Sequence, residues 1–174
     1  HKLLAAMSQA SILHCRRDRI NVARLESMLQ LVQSSSPNYL LLASLESAVA
    51  QLIEAGPQLI GQSVALAAQA REQINQIEGL YCFGADRVGQ PGVAGLDATK
   101  LTVTVSGLGI SGSTAEAWLR QHGKVQAELS DVNNVLFLVT LADDAATLNQ
   151  LVAAMTRLAA TFPRRGSFIA FPDP

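Results

Sequence analysis

Leu101-Thr102-Val103-Thr104-Val105-Ser106-Gly107-Leu108-Gly109-Ile110-Ser111-Gly112 is the stretch on which the reading of the fold turns. Apolar and hydroxyl residues alternate over 101–105, so successive side chains point to opposite faces of a strand with one face covered. The glycines that follow call for a sharp turn. Residues 113–122 then read as a helix closed by Gly123, 125–129 and 135–140 as strands, and 143–162 as a second helix. Upstream, 80–83 predicts a further strand, joined to the first by a glycine-rich connection over 84–95. Together these elements predict a small α/β domain of order βαββα.

The first half of the chain has a different grammar. Residues 10–15 form a short apolar run that predicts a buried strand, ended by a charged turn at 16–19. Asn21 is placed as a helix N-cap, with Val22, Leu25, Met28, Leu29 and Val32 as the apolar stripe. Ser34-Ser35-Ser36-Pro37 ends that helix, because the residue before a proline is pushed away from helical angles. Pro37 suits the first turn of a second helix, whose stripe of Leu41, Leu42, Leu45, Val49, Leu52 and Ile53 runs down to Gly56-Pro57. A third helix is expected over 57–78, with Ile60, Val64, Ala67, Ile74 and Ile77 inward. The domain boundary is expected near residue 75, dividing 1–75 from 76–174.

The chain has 174 residues, enough for one good core or for one small domain plus part of another. Hydrophobic residues make up 49% and charged residues only 16%, so much of the surface is expected to meet another segment or subunit. Net charge is -1, and the basic cluster Arg16-Arg17-Asp18-Arg19 is short, contains an acid and has no aromatic neighbours. That pattern argues against nucleic acid and for a solvated turn. No apolar run approaches the ~18 residues of a membrane span, and nothing resembles a signal peptide. Cys15 and Cys82 lie far apart without metal-ligand spacing, so the expectation is two buried thiols in a cytosolic protein and no metal site.

His1-Lys2-Leu3-Leu4-Ala5-Ala6-Met7-Ser8-Gln9-Ala10-Ser11 resembles the segment around the cofactor lysine of the prokaryotic ornithine/lysine/arginine decarboxylases. In that family Ser-x-His-Lys is followed by small residues and Ser/Thr-Gln. Ser35-Ser36-Pro37-Asn38-Tyr39 with Leu42-Ala43-Ser44-Leu45-Glu46 is similar to the family's Thr-Ser-Pro-x-Tyr and Ala-Ser-Leu-Asp stretch. Asp97-Ala98-Thr99-Lys100-Leu101, Val105 to Gly112, Trp118-Leu119-Arg120, His122-Gly123, Glu128-Leu129 and Asn134-Val135-Leu136 keep the family's order and spacing. The chain looks most like the shorter arginine decarboxylases.

The resemblance implies a fold and a site. The fold would be the C-terminal end of a fold-type-I large domain that binds pyridoxal 5'-phosphate, then connecting helices, then the small α/β domain. Lys2 would be the Schiff-base lysine, and His1 would sit beside the cofactor on its phosphate side. Ser34 or Ser35 would reach across a dimer interface towards a cofactor phosphate, a role that hydroxyls near a helix start suit. The implied reaction is decarboxylation of a basic amino acid, arginine to agmatine first, then lysine or ornithine, by a cytoplasmic homodimer or higher homo-oligomer. In the family the acid against the pyridine nitrogen, the ring-stacking group and most of the phosphate cup lie upstream of the lysine. The sequence therefore reads as an excerpt open at both ends, and the isolated chain is expected to be inactive.

Plainer readings stand beside these. Ser34-Ser35-Ser36-Pro37 also serves as a helix stop, and His1 as a terminal residue without a role. Gly107, Gly109 and Gly112 spell Gly-x-Gly-x-x-Gly between strand and helix, the context of a nucleotide-binding α/β module, with Glu128, 16 residues past Gly112, as the ribose acid. The same glycines also suit a tight strand-to-helix turn. A non-catalytic assembly domain is the third reading. Asp97 and Lys100 suggest a local ion pair, His14 a satisfied histidine near a strand end, and His122 a helix C-terminus.

Overall fold

The computed structural model describes residues 3–9 and 11–163. Helix α1, Val22–Val32, starts where the side chain of Asn21 accepts a hydrogen bond from the Arg24 N–H and ends at an extended Gln33. Helix α2, Tyr39–Asn75, is 37 residues long and holds Pro57 in its interior. Two helices were expected here, and the finding has a steric reason. Proline disfavours a helical predecessor mainly by clashing with its backbone and Cβ, and Gly56 has no Cβ. Two compact units, 1–56 and 57–174, divide inside this helix at Gly56-Pro57. The sequence reading sets its boundary further along the same helix, near residue 75, but Ala67, Ala70 and Ile74 are buried in the core of the second unit.

That second unit is built on a four-stranded sheet of order β1-β2-β4-β3 with antiparallel neighbours. Its strands are β1, Tyr81–Cys82; β2, Lys100–Thr104; β3, Leu129–Ser130; and β4, Asn134–Leu138. Val103 stands opposite Cys82 on one side and Val135 on the other. Helix α3, Gly112–Trp118, continues as a π-helical turn over Leu119–Gly123, and α4 spans Ala145–Thr161. The order is thus ββαββα, the strand expected over 80–83 forming as β1 at the edge of the expected βαββα unit. Leu101, Val103 and Val105 from β2 and its end, with Val135, Phe137 and Val139, form the covered face. Ala115, Leu119, Leu148, Leu151, Met155 and Leu158 cover it.

The predicted strand over 125–129 shrinks to its last residue plus Ser130. Lys124 adopts a left-handed conformation, its carbonyl accepts from Gln150 of α4 at 3.0 Å, and the Val125 N–H bonds back to Leu119. Those bonds draw 124–125 towards helices and away from β4. The strand expected over 10–15 is absent from the described part, 11–15, which is coil and exposed throughout. An apolar run with no strand to pair with leaves its backbone to water.

Three polar side chains on the second half of α2 hold the sheet's margins. Asn75 donates to the Cys82 carbonyl at 3.0 Å and accepts from its N–H at 2.7 Å, filling the outer edge of β1 as another strand would. Arg71 donates to the carbonyls of Phe83, Ala98 and Lys100 at 3.0 to 3.2 Å. Ser63, buried, donates to the Thr140 carbonyl at 3.0 Å.

Gly112 sets the sharpest steric demand: a Cβ there would run into the backbone oxygens of Asn134 and Asp131. Gly61, inside α2, has open space around the same position. Gly112→Ala is expected to cost about 3 kcal/mol or to prevent folding of the second unit. Gly61→Ala should raise stability by roughly 1 kcal/mol through helix propensity. Side-by-side thermal unfolding of the two variants checks both.

Candidate functional site

The hydroxyl turn follows from how α1 stops and α2 starts. Past Gln33, the Ser34 hydroxyl accepts from the Ser36 N–H at 3.1 Å and donates to the Ser36 carbonyl at 3.2 Å, closing a local turn. Asn38 then accepts from the Leu40 N–H at 2.9 Å and caps α2. A cleft of about 450 Å³ opens here, with Gln9, Ser11, Gln33, Ser34 and Asn38 as its polar lining and Leu41, Leu42 and Leu45 among its apolar lining. Ser34 thus shares a cleft with the segment that follows the proposed cofactor lysine. Ser35 is exposed in the same turn. His1 and Lys2 lie outside the described residues.

Two features of that segment were not singled out from sequence. Gln9 has a φ of 72°, a left-handed conformation uncommon outside glycine. The Met7 N–H donates to the Ser44 hydroxyl at 3.1 Å across 37 positions. Ser44 and Gln9 both belong to the stretches that carry the family resemblance, which was the available signal.

The glycine turn is accounted for by the protein's own backbone. Residues Ser106–Leu108 make a 3-10 turn, Gly109 at a φ of 71° caps it, and Ser111 caps α3 through the Thr114 N–H. A Cβ on Gly107 would stand 2.5 Å from the Gly79 carbonyl oxygen. Gly107 and Gly112 are therefore glycines because backbone passes against them. The nucleotide reading loses its main support, since these glycines are used up in close packing.

Other clusters are structural. Asp97 accepts from the Thr99 hydroxyl and N–H, and its carboxylate lies 3.7 Å from the Lys100 ammonium. The Thr99 hydroxyl is the main cause holding the Asp97 carboxyl below its usual range. The Tyr81 hydroxyl donates to Asp86, which raises the phenol and lowers the carboxyl, while the Arg87 guanidinium stands 5.6 Å from the Tyr81 ring centre. Arg16 pairs with Asp18 at 2.7 Å in an exposed turn, as expected of a solvated cluster. His122 lies in the π-helical turn just before Gly123, 5.4 Å from the Trp118 ring, and His14 lies on exposed coil. Among the described residues no three His, Cys, Asp or Glu side chains come together as a metal site. No described helix is long and apolar enough to cross a membrane.

The fold is shared with lysine decarboxylases. The crystal structure of the Francisella novicida lysine decarboxylase superposes with a TM-score of 0.73 at 24% identity, over 92% of this chain and 27% of that one. The Escherichia coli constitutive lysine decarboxylase gives a TM-score of 0.67 at 22% identity, over the same shares. Residues 1–147 match the family described as the Orn/Lys/Arg decarboxylase major domain, and the chain belongs to that family. The arginine decarboxylase of Bacillus cereus is 42% identical over 165 residues, covering 95% of this chain and 36% of its own length. That of Halalkalibacterium halodurans is 42% identical over 159 residues, 91% of this chain and 32% of its own. The lysine decarboxylase of Hafnia alvei is more distant, 29% identical over 191 residues and 26% of its length. The chain spans about a third of the length of the arginine decarboxylases it matches.

The two thiols part company. Cys15 is exposed, contrary to the expectation of two buried cysteines, in a coil over 11–16 that is exposed throughout. Burial pushes the Cys82 thiol up to about 11, outweighing the opposing pull of Arg71. Since the thiolate is the reactive form, alkylation of the native chain with iodoacetamide should label Cys15 and leave Cys82 unmodified until the chain is denatured. Peptide mass spectrometry of the two samples reads this directly.

Proposed function

We propose that this chain is the lysine-bearing C-terminal part of a pyridoxal-phosphate-dependent decarboxylase acting on a basic amino acid, arginine to agmatine first. The observation that carries the reading is the match of residues 1–147 to the Orn/Lys/Arg decarboxylase major domain, a span that includes both Lys2 and the hydroxyl turn. The donor set fits a phosphate-bearing cofactor. Ser34 and Ser35 offer hydroxyls, Gln33 and Asn38 offer amides, and the start of a long helix carries partial positive charge. The preference for arginine over lysine or ornithine rests on the identity to the arginine decarboxylases.

When bound, pyridoxal phosphate supplies the electron sink that accepts the bonding pair as carbon dioxide leaves. The chain's own groups have narrower tasks. Lys2 would hold the cofactor through its ε-amine, yield that hold to the substrate amine, and carry a proton at Nζ. His1 would lie beside the cofactor on the phosphate side, and Ser34 or Ser35 would donate to phosphate oxygens of a neighbouring subunit. The first part of the chain would close the large domain and the second part form the small one, in a cytoplasmic homodimer or higher homo-oligomer.

A further observation agrees with this. In the first unit only Ala48 and Gly56 are buried among the described residues, while Leu31, Val32, Tyr39, Leu40 and Ile53 are 72 to 81% exposed. Such an apolar surface suits a piece of a larger core.

In the full-length parent protein, borohydride reduction followed by peptide mapping should place a pyridoxyl label on Lys2. Absence of the cofactor absorbance band, or a label on another lysine, overturns the assignment and leaves the assembly reading. Ser34→Ala or Ser35→Ala should weaken cofactor retention about 10-fold, the worth of a hydrogen bond to a charged group. The isolated 174-residue chain should not turn over arginine, lysine or ornithine.

A further inference from the structure

We infer that Ser44 is a positioning residue for Lys2, an inference that rests on the cofactor role proposed for that lysine. The stretch over 3–9 contains no helix or strand. Its shape comes from a tight turn in which the Ala6 N–H bonds to the Leu4 carbonyl at 2.8 Å, and from the left-handed Gln9. Between those two points the Met7 N–H donates to the Ser44 hydroxyl oxygen at 3.1 Å. A backbone without ladder or helix bonds takes its place from such contacts, and this one ties it to the longest helix of the chain.

The chemistry of Ser44 suits an anchor. Its hydroxyl proton is committed to the Leu41 carbonyl, one turn back in α2, at 2.8 Å. That bond fixes the rotamer and turns an oxygen lone pair towards Met7. The hydroxyl therefore acts as an oriented acceptor on a rigid element, half-buried beside the exposed segment it holds. Lys2 lies five residues before Met7, a covalent reach of at most about 18 Å from the Met7 Cα. The Ala6 to Leu4 turn shortens that reach. Leu41, which receives the hydroxyl proton, also lines the cleft shared by Ser34 and Gln9. Ser44 thus ties the lysine-bearing strand of chain to the same two turns of α2 that bound the cleft.

Removing the hydroxyl takes away the bond that ties the Met7 N–H to α2, so the lysine should lose its fixed approach. The experiment uses the full-length parent with Ser44→Ala, Ser44→Thr and Ser44→Val. Cofactor retention is measured by dialysis and titration, and the pH midpoint of the bound-cofactor absorbance is read alongside activity. Ser44→Ala and Ser44→Val should retain the cofactor roughly 3- to 10-fold less tightly and move the pH midpoint. Ser44→Thr, which keeps the hydroxyl, should restore both. Threonine and valine are near-isosteric, so their comparison decides the question even if alanine fails to fold. Unchanged retention and midpoint in the valine variant, or equal loss in threonine and valine, overturns the role of Ser44. A borohydride label absent from Lys2 in the parent overturns the proposed function itself; a label on Lys2 with a silent Ser44→Val overturns only this inference.

Discussion

Four short strands offer one apolar face, and covering that face is the constraint from which the second unit takes its form. Leu101, Val103, Val105 and Val135 are fully buried, with Phe137 and Val139 beside them. Strands of two to five residues cannot stand alone, so helices must lie close against them. Burial of apolar side chains at about 1.5–3 kcal/mol each outweighs any single polar contact. The close approach then dictates the glycines: Gly107 passes the backbone of Gly79, and Gly112 passes that of Asp131 and Asn134. The same closeness turns Arg71 and Asn75 from surface polar residues into clamps on the sheet's margin.

The first unit is held by a different kind of force. With Ala48 and Gly56 its only buried described residues, it has no core of its own to place its segments. Caps and turns do that instead: Asn21 at the start of α1, Ser34 in the turn, Asn38 at the start of α2, and Ser44 on the segment before them. These are single hydrogen bonds, each worth about 1 kcal/mol net. The proposed cofactor chemistry therefore sits where geometry is set by local polar contacts, and the apolar surface awaits cover. Membership of the decarboxylase family and the small span of its relatives' length fit that division of labour.

Readable elements share a physical cause. Alternation over 101–105 survives folding because it meets a one-sided sheet, and the Asn21 and Ser34 to Pro37 punctuation works through bonds within a few residues. Elements that misled depend on distant partners. The apolar run over 11–15 found no strand to pair with, and 124–125 was drawn off by Gln150 and Leu119. Gly56-Pro57 looked like a break, yet the missing Cβ lets the helix pass.

The site divides along the same line. Lys2, His1, Ser34 and Ser35 are proposed from their resemblance to the family pattern, a property of order along the chain. That Gln9 and Ser11 share a cleft with Ser34, and that Met7 leans on Ser44, could emerge only from folding. Covalent order and local dihedral preference are written into the chain itself; which hydroxyl meets which N–H across 37 residues depends on where packed helices come to rest.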